Sequence, residues 1–179
     1  IHASRFKDFY NEASPEKKEK ITGTLKSVEK IIVLSQSWKE WFESIGIKKE
    51  SLTILHNITP EPTYIPSARV DDGKIHFLFL GEIGQRKGVF DIIRAIAQHK
   101  DEAEGKIELR IGGNRNEEKL ISAIKQNGLE ETVIFEGWVS GKKKLQLLNW
   151  TDVYILPSFN EGLPISILEA MSYGHPVIS

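Results

Sequence analysis

From about Asp72 onward, short apolar runs alternate with apolar residues at helical spacing, and this alternation leaves the chain few possible folds. Ile75 to Leu80 is nearly continuous in its apolar character, as expected of a strand covered on both faces. Val89, Ile92, Ile93, Ile96 and Ala97 then recur as one face of a helix. The same pair of patterns follows three more times. Ile107 to Ile111 precedes a helix lined by Leu120, Ile121 and Ile124, and Val133 to Phe135 precedes a short one lined by Leu145, Leu147 and Leu148. Val153 to Leu156 precedes a helix from Pro164 to Tyr173, after which Pro176-Val177-Ile178 reads as a new strand. Strands and helices in this order predict an α/β protein with a doubly wound parallel sheet, which binds ligands beyond the carboxyl ends of its strands.

The first part of the chain has a different rhythm. Glu16 to Glu29 predicts a charged helix, Ile31 to Leu34 a buried strand, and Trp38, Trp41, Phe42 and Ile45 one face of a second helix. Leu52 to Leu55 predicts another short strand, and the three prolines between Asn57 and Pro66 predict a linker. This is too little for a complete domain. Residues 1–62 therefore read as the tail of a preceding α/β domain with its linker, and residues 63–179 as a ligand-binding domain cut short, so that both ends suggest a longer parent. The aromatic stripe suits either a membrane surface or a core, and the absence of a strongly basic opposite face favours the core. Lys17-Lys18-Glu19-Lys20 and Lys142-Lys143-Lys144 read as solvated helix faces.

Composition excludes several classes. With 24 Lys and Arg against 25 Asp and Glu, the chain lacks the basic excess of a nucleic-acid binder, so no nucleic-acid partner is expected. It has no cysteine, hence no disulfide framework and no thiolate metal site. No apolar run approaches the roughly 20 residues of a membrane span, and no signal-peptide pattern opens the chain, so a cytoplasmic location is the expectation. Asn57 and Asn149 each begin an Asn-x-Thr triplet, a pattern frequent by chance.

Three loops follow predicted strands and carry groups suited to a ligand. Gly81-Glu82-Ile83-Gly84-Gln85-Arg86-Lys87-Gly88 combines glycines, two cations and a helix start, an arrangement that fits a diphosphate. Its spacing matches neither Gly-x-Gly-x-x-Gly nor the Walker pattern. Taken alone, an ordinary strand-to-helix turn explains it equally well. In Gly137-Trp138-Val139-Ser140-Gly141, main-chain groups can meet the edge of a planar base, although a plain loop accounts for that stretch better on its own. The third loop enters the last helix, where Pro164 suits a first turn and the amides of Gly162, Leu163 and Ile165 are expected at its positive end. Leu163, Ile167, Ala170, Met171 and Gly174 form the face expected on the sheet. Glu169 falls off that face beside Ser166 and Ser172, while Glu161 stays in the loop, so two carboxylates flank one anion site. Carboxylates accept paired sugar hydroxyls well.

Together these residues resemble the retaining GT-B glycosyltransferases of group 1, also called family four. Glu161-Gly162-Leu163-Pro164 with Glu169-Ala170-Met171, Gly174 and Pro176-Val177-Ile178 is similar to that family's E-x7-E signature. Arg86-Lys87-Gly88, Gly137-Trp138-Val139 and Asp152 to Ser158 add to the likeness, and His2-Ala3-Ser4-Arg5-Phe6 is similar to a His-Gly-x-x-Phe stretch of the N-terminal domain. The resemblance implies a Rossmann-like C-terminal half of a GT-B fold and transfer of a sugar, with retention, from a UDP- or GDP-sugar to a glycan or lipid-linked acceptor. It also implies a place in surface polysaccharide biosynthesis and peripheral membrane association of the full-length enzyme. Glu169 would hold the ribose, Glu161 the transferred sugar, Val139 the base, and Arg86 and Lys87 with the Gly162 and Leu163 amides the diphosphate. His2 would face the sugar from the other domain. No Asp-x-Asp is present, so no metal cofactor is expected. Glu82 stands where many members carry Arg, which leaves Arg86 as the second phosphate contact.

Two other functions suit parts of this pattern. A non-catalytic nucleotide-sugar-binding module needs the same cradle without the transfer. A glycoside hydrolase could use Glu161 and Glu169 as its carboxylate pair, but it has no need of a diphosphate cradle beside them. Because half the cleft is missing, the chain alone is expected to be inactive.

Overall fold

A computed structural model describes residues 6–65 and 71–179. The chain divides into two compact units, one of residues 1–58 with Asn160–Pro164 and one of Thr59–Phe159 with Ile165–Ser179.

The first unit begins with helices α1 (Phe6–Glu12) and α2 (Pro15–Ser27), followed by strand β1 (Ile31–Val33), helix α3 (Gln36–Ser44) and strand β2 (Leu52–Ile54). Two serines start helices by the same means. Ser14 Oγ accepts from Lys17 N and Ser35 Oγ from Trp38 N, each satisfying an amide that the first turn leaves unpaired. β1 and β2 are parallel, with Ile31 opposite Leu52. Ile31, Val33, Phe42, Ile47 and Leu52 form the core, and Trp38 and Trp41 pack on it half-buried. Phe42 is fully buried, with the Trp41 and Phe6 ring centroids 4.9 and 6.0 Å away. The aromatic stripe is therefore core, and burying Phe42 contributes about 2–3 kcal/mol.

The second unit holds strands β3 (Ile75–Leu80), β4 (Ile107–Gly112), β5 (Val133–Gly137), β6 (Val153–Ile155) and β7 (Val177–Ile178). They form one parallel sheet in the order β5-β4-β3-β6-β7. Between the strands run α4 (Val89–Gln98), the short α5 (Lys100–Ala103), α6 (Glu117–Gln126), α7 (Gly141–Trp150) and α8 (Ile165–Ser172). Period-two alternation assigns the faces. Phe77, Leu109 and Ile155 meet Ile92 and Ile96 of α4, whereas His76 and Arg110 on the opposite face lie 4.4 and 4.3 Å from the Trp150 ring of α7. Helices thus cover both faces, and the sheet is doubly wound.

The strand order fixes where a ligand belongs. The chain leaves β3 toward β4 on one side, and later returns to place β6 on the other. The crevice beyond β3 and β6 is therefore the topological switch point. Tyr154 braces it from below. This fully buried residue gives its hydroxyl proton to Leu80 O (3.0 Å) and accepts from Leu80 N (3.3 Å), holding the last residue of β3.

At the amino edge of the sheet, His76 is buried against Trp150 and clamped by acids. Its backbone N and its Nδ1 lie 3.0 and 3.1 Å from Asp152 Oδ2, and its Nε2 lies 3.2 Å from Asp72 Oδ1. This cluster ties the start of β3 to the start of β6, at the end of the sheet away from the crevice.

Candidate functional site

The loop after β3 turns through a short 3-10 segment, Gln85–Lys87, before α4. Gly88 closes it with φ +72°, a left-handed conformation suited to glycine. A Cβ on Gly88 would stand 2.1 Å from Pro157 O, so the loops after β3 and β6 approach as closely as they do only because that position is glycine. Phe159 N donates to Arg86 O at 2.9 Å and locks the two loops together. Arg86 and Lys87 are half-buried within this locked turn, at the switch point, with the positive end of α4 directly after them.

The other side of the turn is stitched to the loop after β4. Ile83 N donates to Asn114 O (2.9 Å), and Asn116 Nδ2 donates to Ile83 O (2.6 Å). Glu82 pairs with Arg115 across these loops, Oε1 to Nη1 at 3.4 Å. Arg115 is largely solvated and Glu82 more than a third exposed, so this pair is worth at most about 1 kcal/mol.

Val139 is buried in the core of the second unit, and a Cβ on Gly112 would meet its Cγ2 at 2.7 Å. Its side chain packs, so its main chain is what a ligand would meet. The neighbouring Trp138 is 67% exposed.

Glu169 sits on α8 and is paired. Its Oε1 lies 2.5 Å from Nζ of Lys144 on α7, with the two side chains 16% and 32% exposed. Lys143, one residue earlier, turns away to Glu136, with Nζ 2.8 Å from Oε2 and donating to the carbonyl oxygen at 2.7 Å. Glu136 and Glu108 in turn hold Arg110 on the sheet. Lys142 and Lys143 are exposed, as a solvated face requires, whereas Lys144 is half-buried and paired. Sequence reasoning missed Lys144. The available signal was its spacing, since it lies three and four residues before Leu147 and Leu148 and so shares their buried face.

α8 begins at Ile165, one residue after the Pro164 start that the sequence predicts. The residue before a proline is pushed out of the helical region, so Leu163 cannot enter the helix and Pro164 stands at its threshold. The Gly162 and Leu163 amides accordingly precede the first turn. On α8, Ala170 is buried and Ile167 packs on the core along with Tyr173 just beyond the helix, whereas Met171 is 58% exposed. The covered stripe advances by three residues, and Met171 falls past its edge.

Glu161, Gly162 and Leu163 belong to the segment grouped with the first unit. There Asn57 Nδ2 donates to Leu163 O at 2.8 Å. His2 lies outside the described residues. The described structure thus brings Arg86 and Lys87 onto the loop after β6 and pairs Glu169 with a lysine, while the Glu161 loop is anchored by the linker residue Asn57.

Both asparagines of the Asn-x-Thr triplets have their amide nitrogens engaged. Asn149 Nδ2 donates to Thr63 O and Leu145 O, each at 2.8 Å. Among the described residues, no three His, Asp or Glu are grouped to hold a metal ion, and no helix is long and apolar enough to cross a membrane. An apolar groove of about 200 Å³ beside α4, lined by Phe77, Ile96 and Leu109 among others, offers no polar surface to orient a ligand. The charged turn of Arg86 and Lys87 lies at the carboxyl edge of the sheet, at the opposite end from the His76 cluster.

The fold recurs in known proteins. The chain is 30% identical over 154 residues to the lipopolysaccharide 1,6-galactosyltransferase of Salmonella typhimurium (strain LT2), a match covering 83% of the chain and 42% of that enzyme. Its fold is similar to the apo form of the lipopolysaccharide outer core galactosyltransferase WaaB, with a TM-score of 0.66, 29% identity and coverage of 85% of this chain and 43% of the other. HepE of Anabaena in complex with UDP and glucose shares the fold at a TM-score of 0.69 and 19% identity, covering 94% of this chain and 49% of HepE. The chain thus spans less than half the length of these relatives, and the fold it shares with them is GT-B. The family model described as "Glycosyl transferases group 1" matches residues 61–179, two thirds of the sequence. The chain belongs to the group 1 glycosyltransferases.

Proposed function

We propose that this chain carries the donor-binding half of a retaining glycosyltransferase. The whole enzyme would move a sugar from a UDP- or GDP-sugar to a glycan or lipid-linked acceptor in surface polysaccharide biosynthesis, in the cytoplasm or at the membrane periphery. The observation that carries this reading is the locked turn at the switch point, where Arg86 and Lys87 stand before a helix start and Phe159 N fastens the turn in place. The UDP bound by the fold neighbour HepE supports a nucleoside diphosphate as the ligand.

The chemistry follows from charge. As the bond from the anomeric carbon to the phosphate oxygen breaks, negative charge grows on the departing diphosphate. Cations and amides already fixed in place stabilise it without reorganising. Arg86, Lys87 and the positive end of α4 supply that stabilisation, with the Gly162 and Leu163 amides as further donors, and transfer needs no metal. Glu169 receives the ribose hydroxyls, Glu161 the hydroxyls of the transferred sugar, and His2 also contacts that sugar. The main chain at Val139 reads the base. The chain spans less than half the length of its relatives, and transfer is expected of the whole enzyme and not of the chain alone.

Calorimetry with UDP, GDP and their sugars tests the binding. Glu169→Ala abolishes it in the expected outcome, and an unchanged affinity removes the ribose role. A product assay on the full-length enzyme tests transfer. Release of nucleotide by hydrolysis alone, with no acceptor modified, would end the transferase reading.

A further inference from the structure

The Lys144–Glu169 pair has chemistry beyond joining two helices. Lys144 is the fourth residue of α7 and Glu169 the fifth of α8, and both helices start from the carboxyl edge of the sheet. The pair therefore sits within roughly 6 Å, along each helix axis, of the edge where the ligand crevice opens. The contact uses one carboxylate oxygen. Glu169 Oε1 meets Lys144 Nζ at 2.5 Å, and among the described residues the rest of the carboxylate has no partner, although the side chain is only 16% exposed. Ser172 Oγ bonds the Glu169 main-chain oxygen and leaves the carboxylate alone.

We propose that Lys144 is a positioning residue for nucleotide recognition. Nζ fixes the Glu169 rotamer through Oε1, so that Oε2 and the remaining lone pair of Oε1 stand ready for the two adjacent hydroxyls of a ribose. A glutamate held by its backbone alone would sample several rotamers, and ordering such a side chain at binding costs affinity. A carboxylate can accept from an ammonium and from hydroxyls at once, because it offers about four lone-pair sites. Lysine suits this place better than arginine, whose fork tends to occupy both carboxylate oxygens. The inference rests on the ribose-binding reading of Glu169.

The experiment compares UDP and GDP with their 2′,3′-dideoxy analogues by calorimetry, for the wild-type chain, Glu169→Gln and Lys144→Met. The wild-type chain should prefer the ribonucleotide. Lys144→Met should lose about tenfold in ribonucleotide affinity, or about 1.4 kcal/mol, with the dideoxy affinity unchanged. Equal losses for both ligands would mean that Lys144 only braces the helices, and a gain in ribonucleotide affinity would mean that it competes with the ligand. Either result overturns the proposal. If Glu169→Gln keeps the wild-type preference, the ribose role of Glu169 itself fails. If Glu169→Gln loses the preference while Lys144→Met keeps it, only the role of Lys144 fails. Thermal melts of each variant show that the compared chains are folded.

Discussion

Gly88→Ala probes the contact that builds the candidate site. The added methyl would lie 2.1 Å from Pro157 O and 2.9 Å from both Pro157 C and Pro157 Cγ, far inside van der Waals contact. Neither side can yield freely, because Pro157 O is backbone and Gly88 O accepts the first α4 bonds from Asp91 N and Ile92 N. Relieving the overlap costs about 1–3 kcal/mol, as other overpacked sites do. A further 1–2 kcal/mol, roughly, comes from holding alanine at φ +72°. Alanine also restricts the unfolded chain, which returns about 0.4–1 kcal/mol. The net loss is about 1–5 kcal/mol.

Gly137→Ala separates the two causes. Gly137 has φ +69° but nothing within 4 Å of a Cβ, so only the backbone term applies, about 1 kcal/mol. Hydrogen exchange at the β3 and β4 amides reads the stability of the second unit by itself. The expected result is a loss at Gly88 exceeding that at Gly137 by at least about 1 kcal/mol. Equal losses would show that the two loops do not meet as described, and would remove the geometric basis for a fixed cation turn. Gly88→Ala should also weaken nucleotide binding, because Arg86 and Lys87 immediately precede the displaced residue.

Two further outcomes are expected. Tyr154→Phe removes the hydroxyl that serves both Leu80 N and Leu80 O and should cost about 1–3 kcal/mol in β3 amide exchange; a loss below about 0.5 kcal/mol would mean that water replaces it. The second concerns acid. The Lys74 amide, donating to Asp72 Oδ1 at 3.0 Å, holds the Asp72 carboxyl below its usual value of 3.8, helped by His76 and opposed by desolvation. A depressed carboxyl contributes stability above its unfolded value and loses it as pH falls through the folded one. Asp72→Ala should therefore flatten the decline of stability below about pH 4, measured by urea titration, and parallel declines would refute this.

Much of the second unit was legible because its burial is two-sided and periodic. β3 was read at its observed ends, Ile75 and Leu80, since a strand covered on both faces shows as an uninterrupted apolar run. The sequence pattern predicts neither α1 nor α5. α5 spans only Lys100–Ala103, with one buried residue, so it leaves no period to detect. α1 has no fully buried residue, and Phe6 and Tyr10 meet the aromatic cluster through tertiary contacts that local spacing does not encode. Pro164 marks a first turn in the sequence, but the bias imposed on the residue before proline keeps Leu163 out of the helix, and α8 starts at Ile165.

The site was legible in its charges and illegible in its couplings. Arg86 and Lys87 announced themselves by following a strand and preceding a helix. Nothing local showed that Gly88 meets Pro157, or that Phe159 fastens Arg86, because those contacts join loops about 70 residues apart. Lys143 and Lys144 make the same point at closer range. They are adjacent in sequence, yet a helix turns about 100° per residue, so one reaches back to β5 and the other across to α8. A run of three lysines reads as one charged surface only while its helix is imagined alone. Once Leu147 and Leu148 set which face is buried, the lysine three and four residues ahead of them must either find an acid or leave a charge half-covered. A half-buried carboxylate on the neighbouring helix faces the same requirement, and each ion answers the other.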